Sequence, residues 1–243
     1  MQKNDKTRLI AFDLDGTLTQ HKTPLSEKNR EILNRLGSRY RLLMVGAGQC
    51  IRIFRQMGEY PIDIIGNYGM QLSCFDREAG KLVSVYDEHL PCDRESVERR
   101  INALREKFGY TEFAGESAEY HVTGNVTFPL LGTAAKAEDK LAFDPDRSKR
   151  RKMYEEVKRT FPDYMVFIGG SSSFDFAPVP YNKYYALDRY CRLYGLTHDE
   201  VVYAGDDYGT GGNDEAVYRS DFRFICVDDY TRLDFYMKDF LED

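Results

Sequence analysis

The stretch FDLDGTLT at residues 12–19 decides the reading of the fold. It follows at once on a short apolar run, RLIAF at 8–12, which predicts a buried strand feeding a loop. Asp13 and Asp15 stand two apart across that turn, and Gly16 lets the backbone bend with its amides facing inward. Ligands of open parallel sheets bind at the carboxyl ends of strands. Two carboxylates placed there face one pocket. A bare Asp-x-Asp says little; the whole string behind an apolar strand says a great deal.

Outward from this point the chain alternates. A helix is predicted over 26–37, with Ser26 at its N-cap, Ile32, Leu33 and Leu36 as its apolar stripe and Gly37 at its stop. A strand follows at 41–45 (RLLMV), then Gly46-Ala47-Gly48, a helix over 49–57 and a strand at 62–65. Strand and helix in alternation predict parallel strands with crossover helices. The rhythm then changes to a hairpin (71–75 and 81–86), a charged helix (93–108), two strands around Thr123-Gly124, a helix over 146–161, and two more strands around a Gly-Ser turn. After Lys183 the alternation resumes. The fold class is therefore α/β: a Rossmann-like parallel-sheet core over 1–82 and 181–243, interrupted by an α+β cap over 83–180.

Composition narrows the function. The chain has 243 residues, 42% hydrophobic and 30% charged, with a net charge of −6. That is an ordinary globular composition without a general pull toward nucleic acid or anionic lipid. The one dense basic run, Arg147 and Lys149 to Lys152, reads as the solvated face of a helix. Five cysteines without clustered spacing argue against a disulfide framework or structural zinc. With no apolar stretch resembling a leader or a membrane span, the expectation is a cytoplasmic protein without nucleic-acid or membrane partners.

Two further segments complete a constellation. Ala204-Gly205-Asp206-Asp207, at another strand end, leads into Gly211-Gly212-Asn213-Asp214. Carboxylates gathered at one place repel unless a cation or protons intervene, and hard oxygen ligands suit Mg²⁺. Lys183, just before a helix, supplies a point charge able to hold a phosphate and a neighbouring carboxylate.

On these residues the chain resembles the phosphotransferases of the haloacid dehalogenase superfamily. FDLDGTLT matches their first motif, Lys183 the third and GDDYGTGGND the fourth. Within that superfamily it looks most similar to eukaryotic-type phosphomannomutases, through GDDYGTGGNDEAV, IGGSSSFDFAPVPYNKYYAL and GNVTFPLLG. The resemblance implies that Asp13 is a nucleophile forming an aspartyl-phosphate and Asp15 the general acid and base. It implies Mg²⁺ on Asp13, the backbone carbonyl of Asp15, and Asp206. Lys183 would neutralise the transferring group, and Asn213 and Asp214, with Asp207 in support, would orient Lys183 and the metal waters. A homodimer through the cap is implied as well.

Two departures bear on function. The second motif of the superfamily offers a Ser or Thr hydroxyl to the phosphate, whereas here RLLMV runs into Gly46, Ala47 and Gly48. Backbone amides of these three and Lys183 are then the phosphate-binding groups. Losing one neutral hydrogen bond costs about 0.5–1.5 kcal/mol. The mutases also grip a second phosphate with cap arginines. Here neither 108–135 nor 160–182 contains a Lys or Arg, and Thr133 stands where the mutases carry an arginine. A buried dianion without a cation is expensive. The expectation is a cap that recognises a neutral polar group through Ser171, Asp175 and His121, roofing the site of a phosphatase for a small sugar phosphate. A phosphomannomutase-type phosphohexomutase is the alternative. A non-catalytic sugar-phosphate-binding protein is a second.

Overall fold

A computed structural model describes residues 6–242. The first half of the core runs β1 (Leu9–Phe12), α1 (Glu27–Gly37), β2 (Arg41–Val45), α2 (Cys50–Gln56), β3 (Asp63–Gly66), β4 (Gln71–Asp76) and β5 (Lys81–Asp87). The inserted segment holds α3 (Arg94–Phe108), β6 (Glu119–Tyr120), β7 (Val126–Pro129), α4 (Ala137–Phe143), α5 (Ser148–Thr160), β8 (Tyr164–Phe167) and β9 (Ser173–Pro178). The chain returns through α6 (Lys183–Tyr194), β10 (Val201–Gly205), α7 (Glu215–Tyr218), β11 (Arg223–Cys226), α8 (Leu233–Tyr236) and α9 (Lys238–Leu241).

The core is a seven-stranded sheet in the order β11-β10-β1-β2-β3-β4-β5. Its first five strands are parallel, and β4 and β5 append an antiparallel edge. β1 is the middle one of the five parallel strands and is buried on both faces, which is why RLIAF shows no polar alternation. Ile10 and Phe12 pack with Ile32, Leu33 and Leu36 of α1 and with Leu233 and Phe240. Leu9 and Ala11 pack against Ala186, Leu187 and Tyr190 of α6. Ser26 caps α1 as expected, its hydroxyl accepting from the Asn29 amide at 3.2 Å. Among the described residues no helix is long and apolar enough to cross a membrane.

The chain divides into two compact units. One holds residues up to Asp87, Lys183–Tyr208 and those from Asp214 on; the other holds Glu88–Asn182 with Gly209–Asn213. Residues 83–87, assigned above to the cap, are instead the outer part of β5, the edge of the core sheet. Strand pairing outweighs the change of rhythm there. Tyr181 and Asn182 belong to the second unit.

The second unit is a four-stranded antiparallel sheet, β6-β7-β9-β8, with α3 and α5 packed on one face. Strand periodicity divides its side chains. Val126, Phe128, Phe174, Phe176 and Val166 turn toward Val97, Ile101, Leu104, Met153 and Val157 of the helices. Thr127 and Asp175, paired across β7 and β9, occupy the opposite face.

The basic run on α5 is not wholly a solvated face. Arg150 is 1% exposed. Its Nε donates to Asp144 at 2.9 Å, and one terminal nitrogen donates to the carbonyls of Gly169, Gly170 and Ser173. Arg150 thus holds the loop between β8 and β9. The Arg150 bonds and the amides of Lys149 and Arg150 keep the Asp144 carboxyl below its usual range despite burial. Removing one partner of a buried pair costs more than the pair itself contributes. Arg150→Met is expected to lower stability by about 3–5 kcal/mol in urea titration of the full chain. A loss below about 1 kcal/mol would show that Asp144 and the loop find other partners.

Candidate active site

Asp13 follows β1 directly, and its amide donates to the Ala204 carbonyl of β10 at 2.9 Å. That parallel pairing sets Asp13 beside Asp206, one residue past β10. Gly16 has φ +103°, and a Cβ there would strike the Asp206 carboxylate. Only glycine permits both the turn and the close approach. Thr17 donates its hydroxyl to Asp206 at 3.0 Å.

Lys183 opens α6 and is 0% exposed. Its ammonium donates to Asp13 Oδ1, and to Asp214 Oδ1 at 2.7 Å. Asp214 also accepts from the Tyr203 hydroxyl at 2.6 Å and from the Asp207 amide at 3.0 Å. Asp207 therefore supports the site through its backbone. Asp13, Asp206 and Asp214 bring carboxylate oxygens within 4.8 Å of one another.

Three carboxylates share one ammonium, and the titration follows from that count. Burial pushes the Asp13 carboxyl well up; Lys183 opposes this, while Asp214 and Asp206 add to it. Asp206 is pushed up to about 6, by burial first and then by Asp214, with Lys183 and Thr17 acting the other way. Burial works against the charge on Lys183, but Asp13 and Asp214 outweigh it and raise its pKa. The surplus of negative charge on hard oxygen atoms fits a divalent cation. Asp214 already accepts on both of its oxygens, so Asp13 and Asp206 are the carboxylates suited to direct ligation.

Asp15 lies outside this cluster. Its Oδ1 accepts from the Lys22 amide at 2.8 Å and from the Gln56 side-chain amide at 2.6 Å. Asp15 Oδ2 lies 3.8 Å from His21 Nδ1. The turn after β2 differs in detail from the cradle expected. The Gly46 amide is spent on the Ile65 carbonyl, 2.9 Å away, continuing the sheet beyond β2. Of the three amides expected to hold a phosphate, that of Gly46 is thereby engaged in the sheet. A Cβ on Gly48 would collide with the Arg52 guanidinium, so a cation of α2 lies against the turn where the hydroxyl is missing.

In the second unit, His121 Nε2 is 3.2 Å from the Thr127 hydroxyl, which donates to Asp175 at 3.2 Å. His121 and Asp175 are thus joined in one polar chain. Ser171 stays in the turn, half-buried, and Ser173 is the serine that pairs into the sheet beside Pro129. Asn213 ends the short segment Gly209–Asn213, which groups with the second unit. Arg105, 2% exposed on α3, donates to Ser117 and to the carbonyls of Tyr110, Pro129 and Leu130. Burial lowers its pKa to about 10. Arg52, Gln56 and Tyr203 lie outside the motifs, and Thr17 lies within the first with no role read for it; the helical spacing of Arg52 and Gln56, four apart, is a signal of a shared face.

Comparison with known proteins is consistent with this geometry. Residues 121–231 match the family model described as eukaryotic phosphomannomutase. A phosphomannomutase of Encephalitozoon cuniculi is 29% identical, aligned over 96% of this chain and 94% of its own length. That of Saccharomyces cerevisiae is 27% identical over 89% of this chain and 87% of its own. Among solved structures, the IMP-nucleotidase of Plasmodium falciparum superposes with a TM-score of 0.72 at 14% identity, covering 97% of this chain and 68% of that one. A haloacid dehalogenase-like hydrolase of Bacteroides thetaiotaomicron gives 0.51 at 20% identity, covering 86% and 84%. The structural likenesses establish the fold.

Proposed function

We propose that this chain, a phosphomannomutase-like protein of the haloacid dehalogenase superfamily, hydrolyses a small sugar phosphate through an aspartyl-phosphate on Asp13. The observation that carries this reading is the placement of Asp13 and Asp206 just past the ends of neighbouring strands, with Lys183, at the start of α6, donating to Asp13. Asp13 is the one carboxylate of that group bound to Lys183 without also serving the Tyr203 and Asp207 bonds. Its oxygen attacks phosphorus, and Lys183 offsets charge on the group in transit. Asp15 gives a proton to the leaving sugar oxygen, then takes one from the water that cleaves the acyl phosphate. Mg²⁺, when held by Asp13, Asp206 and the Asp15 carbonyl, supplies the screening between an anionic nucleophile and an anionic phosphate.

Water as acceptor is supported by the character of the second unit. Its strands and their turns carry no Lys or Arg through 108–135 or 160–182. The buried arginines Arg105 and Arg150 are spent on backbone carbonyls, Ser117 and Asp144. The chain His121–Thr127–Asp175 suits the hydroxyls of a neutral sugar better than a second phosphate. The names of the sequence relatives favour a second reading, a phosphohexomutase that moves the phosphoryl group between sugar positions.

Phosphorus NMR separates the two. Mannose 1-phosphate is incubated with protein, Mg²⁺ and a trace of sugar bisphosphate. The expected result is growth of the inorganic phosphate line, halted by chelation. Growth of the 6-phosphate line instead would establish the mutase reading. A spectrum unchanged for this and for other sugar monophosphates would sink both.

A further inference from the structure

We infer that Gln56, held in place by Arg52, is the positioning residue of Asp15 and leaves Asp15 Oδ2 as the oxygen that carries the proton. The inference rests on the acid/base reading of Asp15 given above and goes beyond it to a residue outside the four motifs.

Asp15 has two chemically equivalent oxygens, and its surroundings treat them differently. Oδ1 accepts from the Gln56 Nε2 at 2.6 Å and the Lys22 amide at 2.8 Å, with the Thr19 hydroxyl 3.4 Å away. An oxygen already accepting from two N–H groups is a poor place for a proton. The proton of the neutral acid is therefore directed to Oδ2, and the carboxylate is fixed against rotation. General acid catalysis depends on that placement, because the proton must lie within hydrogen-bond reach of the leaving oxygen.

Gln56 can do this only with its amide facing the right way. A flipped amide would set its carbonyl oxygen against the carboxylate. Three groups decide the orientation. The Thr23 carbonyl, at 3.1 Å, requires a donor where Nε2 lies. Asp15 requires another. Arg52, a donor only, meets Oε1 at 3.0 Å. Gln56 also accepts the Leu25 amide on its backbone carbonyl at 3.2 Å, so the end of α2 anchors the segment that leaves the first motif. The helix following the second motif thereby sets the geometry of the first.

The test compares two substrates that differ in how much they need an acid. The sugar of mannose 1-phosphate leaves as an alkoxide and requires a proton. The 4-nitrophenolate of 4-nitrophenyl phosphate is a stabilised leaving group and does not. Gln56→Met keeps the length and removes the donor. Its kcat/KM, which reports formation of the aspartyl-phosphate and excludes the later base-assisted hydrolysis, is expected to fall about 10- to 100-fold for mannose 1-phosphate and less than about threefold for 4-nitrophenyl phosphate. Equal losses on both substrates, or none on either, overturn the inference. Arg52→Ala, at an exposed position, gives the same selectivity at smaller size if Gln56→Met folds poorly; equal effects on both substrates again count against the assignment. Asp15→Asn serves as reference. If it shows no leaving-group selectivity in kcat/KM, the acid/base reading itself has failed; if it does while Gln56→Met does not, only the role of Gln56 has.

Discussion

Asp13→Asn is expected to remove at least about 10³-fold of kcat for every phosphomonoester the protein turns over, with the fold intact. Asparagine keeps the size of the side chain and an oxygen that accepts from Lys183, but its amide cannot attack phosphorus. The fold should tolerate the change because Asp13 is under strain from its own neighbours. Burial and the carboxylates of Asp214 and Asp206 raise its pKa against the pull of Lys183. Removing one charge from three relieves repulsion while leaving the Lys183–Asp214 bond. The variant should therefore melt at or above the wild-type temperature. Activity is read in protein carried through two further chromatographic steps, so that a contaminating phosphatase is not counted. Unchanged kcat in that material would remove Asp13 from the mechanism. Denatured enzyme quenched during turnover should carry phosphate in the wild type and none in the variant.

This prediction uses the part of the molecule that was most legible in the sequence. FDLDGTLT and GDDYGTGGND lie at strand ends, and parallel strands buried on both faces declare themselves as unbroken apolar runs. Once the order of strands and helices is read, Asp13 and Asp206 must come together. What was missed has physical causes. Strand β6 is only two residues long, because the His121 amide turns to the Asn125 carbonyl and starts the bend. α4 has no buried residue, so no amphipathic stripe announced it. Arg150 was hidden in a basic run, since nothing in the charges tells which one of five turns inward. Gln56 is neutral and follows its motif by a helix turn and more. Its contribution depends on where α2 ends relative to Asp15, which is a tertiary fact.

The same tertiary arrangement makes Lys183 the residue whose loss should be felt most widely. Lys183→Met is expected to abolish turnover and to lower stability by about 3–5 kcal/mol near neutral pH. Methionine fills the space, so the cost is electrostatic: Asp13, Asp206 and Asp214 would face one another with no ammonium among them. The pH dependence follows from the direction of each shift. Lys183 has its pKa raised in the folded protein, so the stability it contributes is fully present through the neutral and acid range. Asp13 and Asp206 are also raised, so their ionised forms oppose folding and protonation relieves this, for Asp206 as the pH falls through about 6. The deficit of the variant should be greatest above about pH 7 and shrink as the pH falls through 6. Urea titrations at several pH values measure it. A deficit that stays constant with pH would mean that Lys183 contributes packing alone. One that grows toward acid would mean that the three carboxylates do not repel in the folded state, and would undo the electrostatic account of the site.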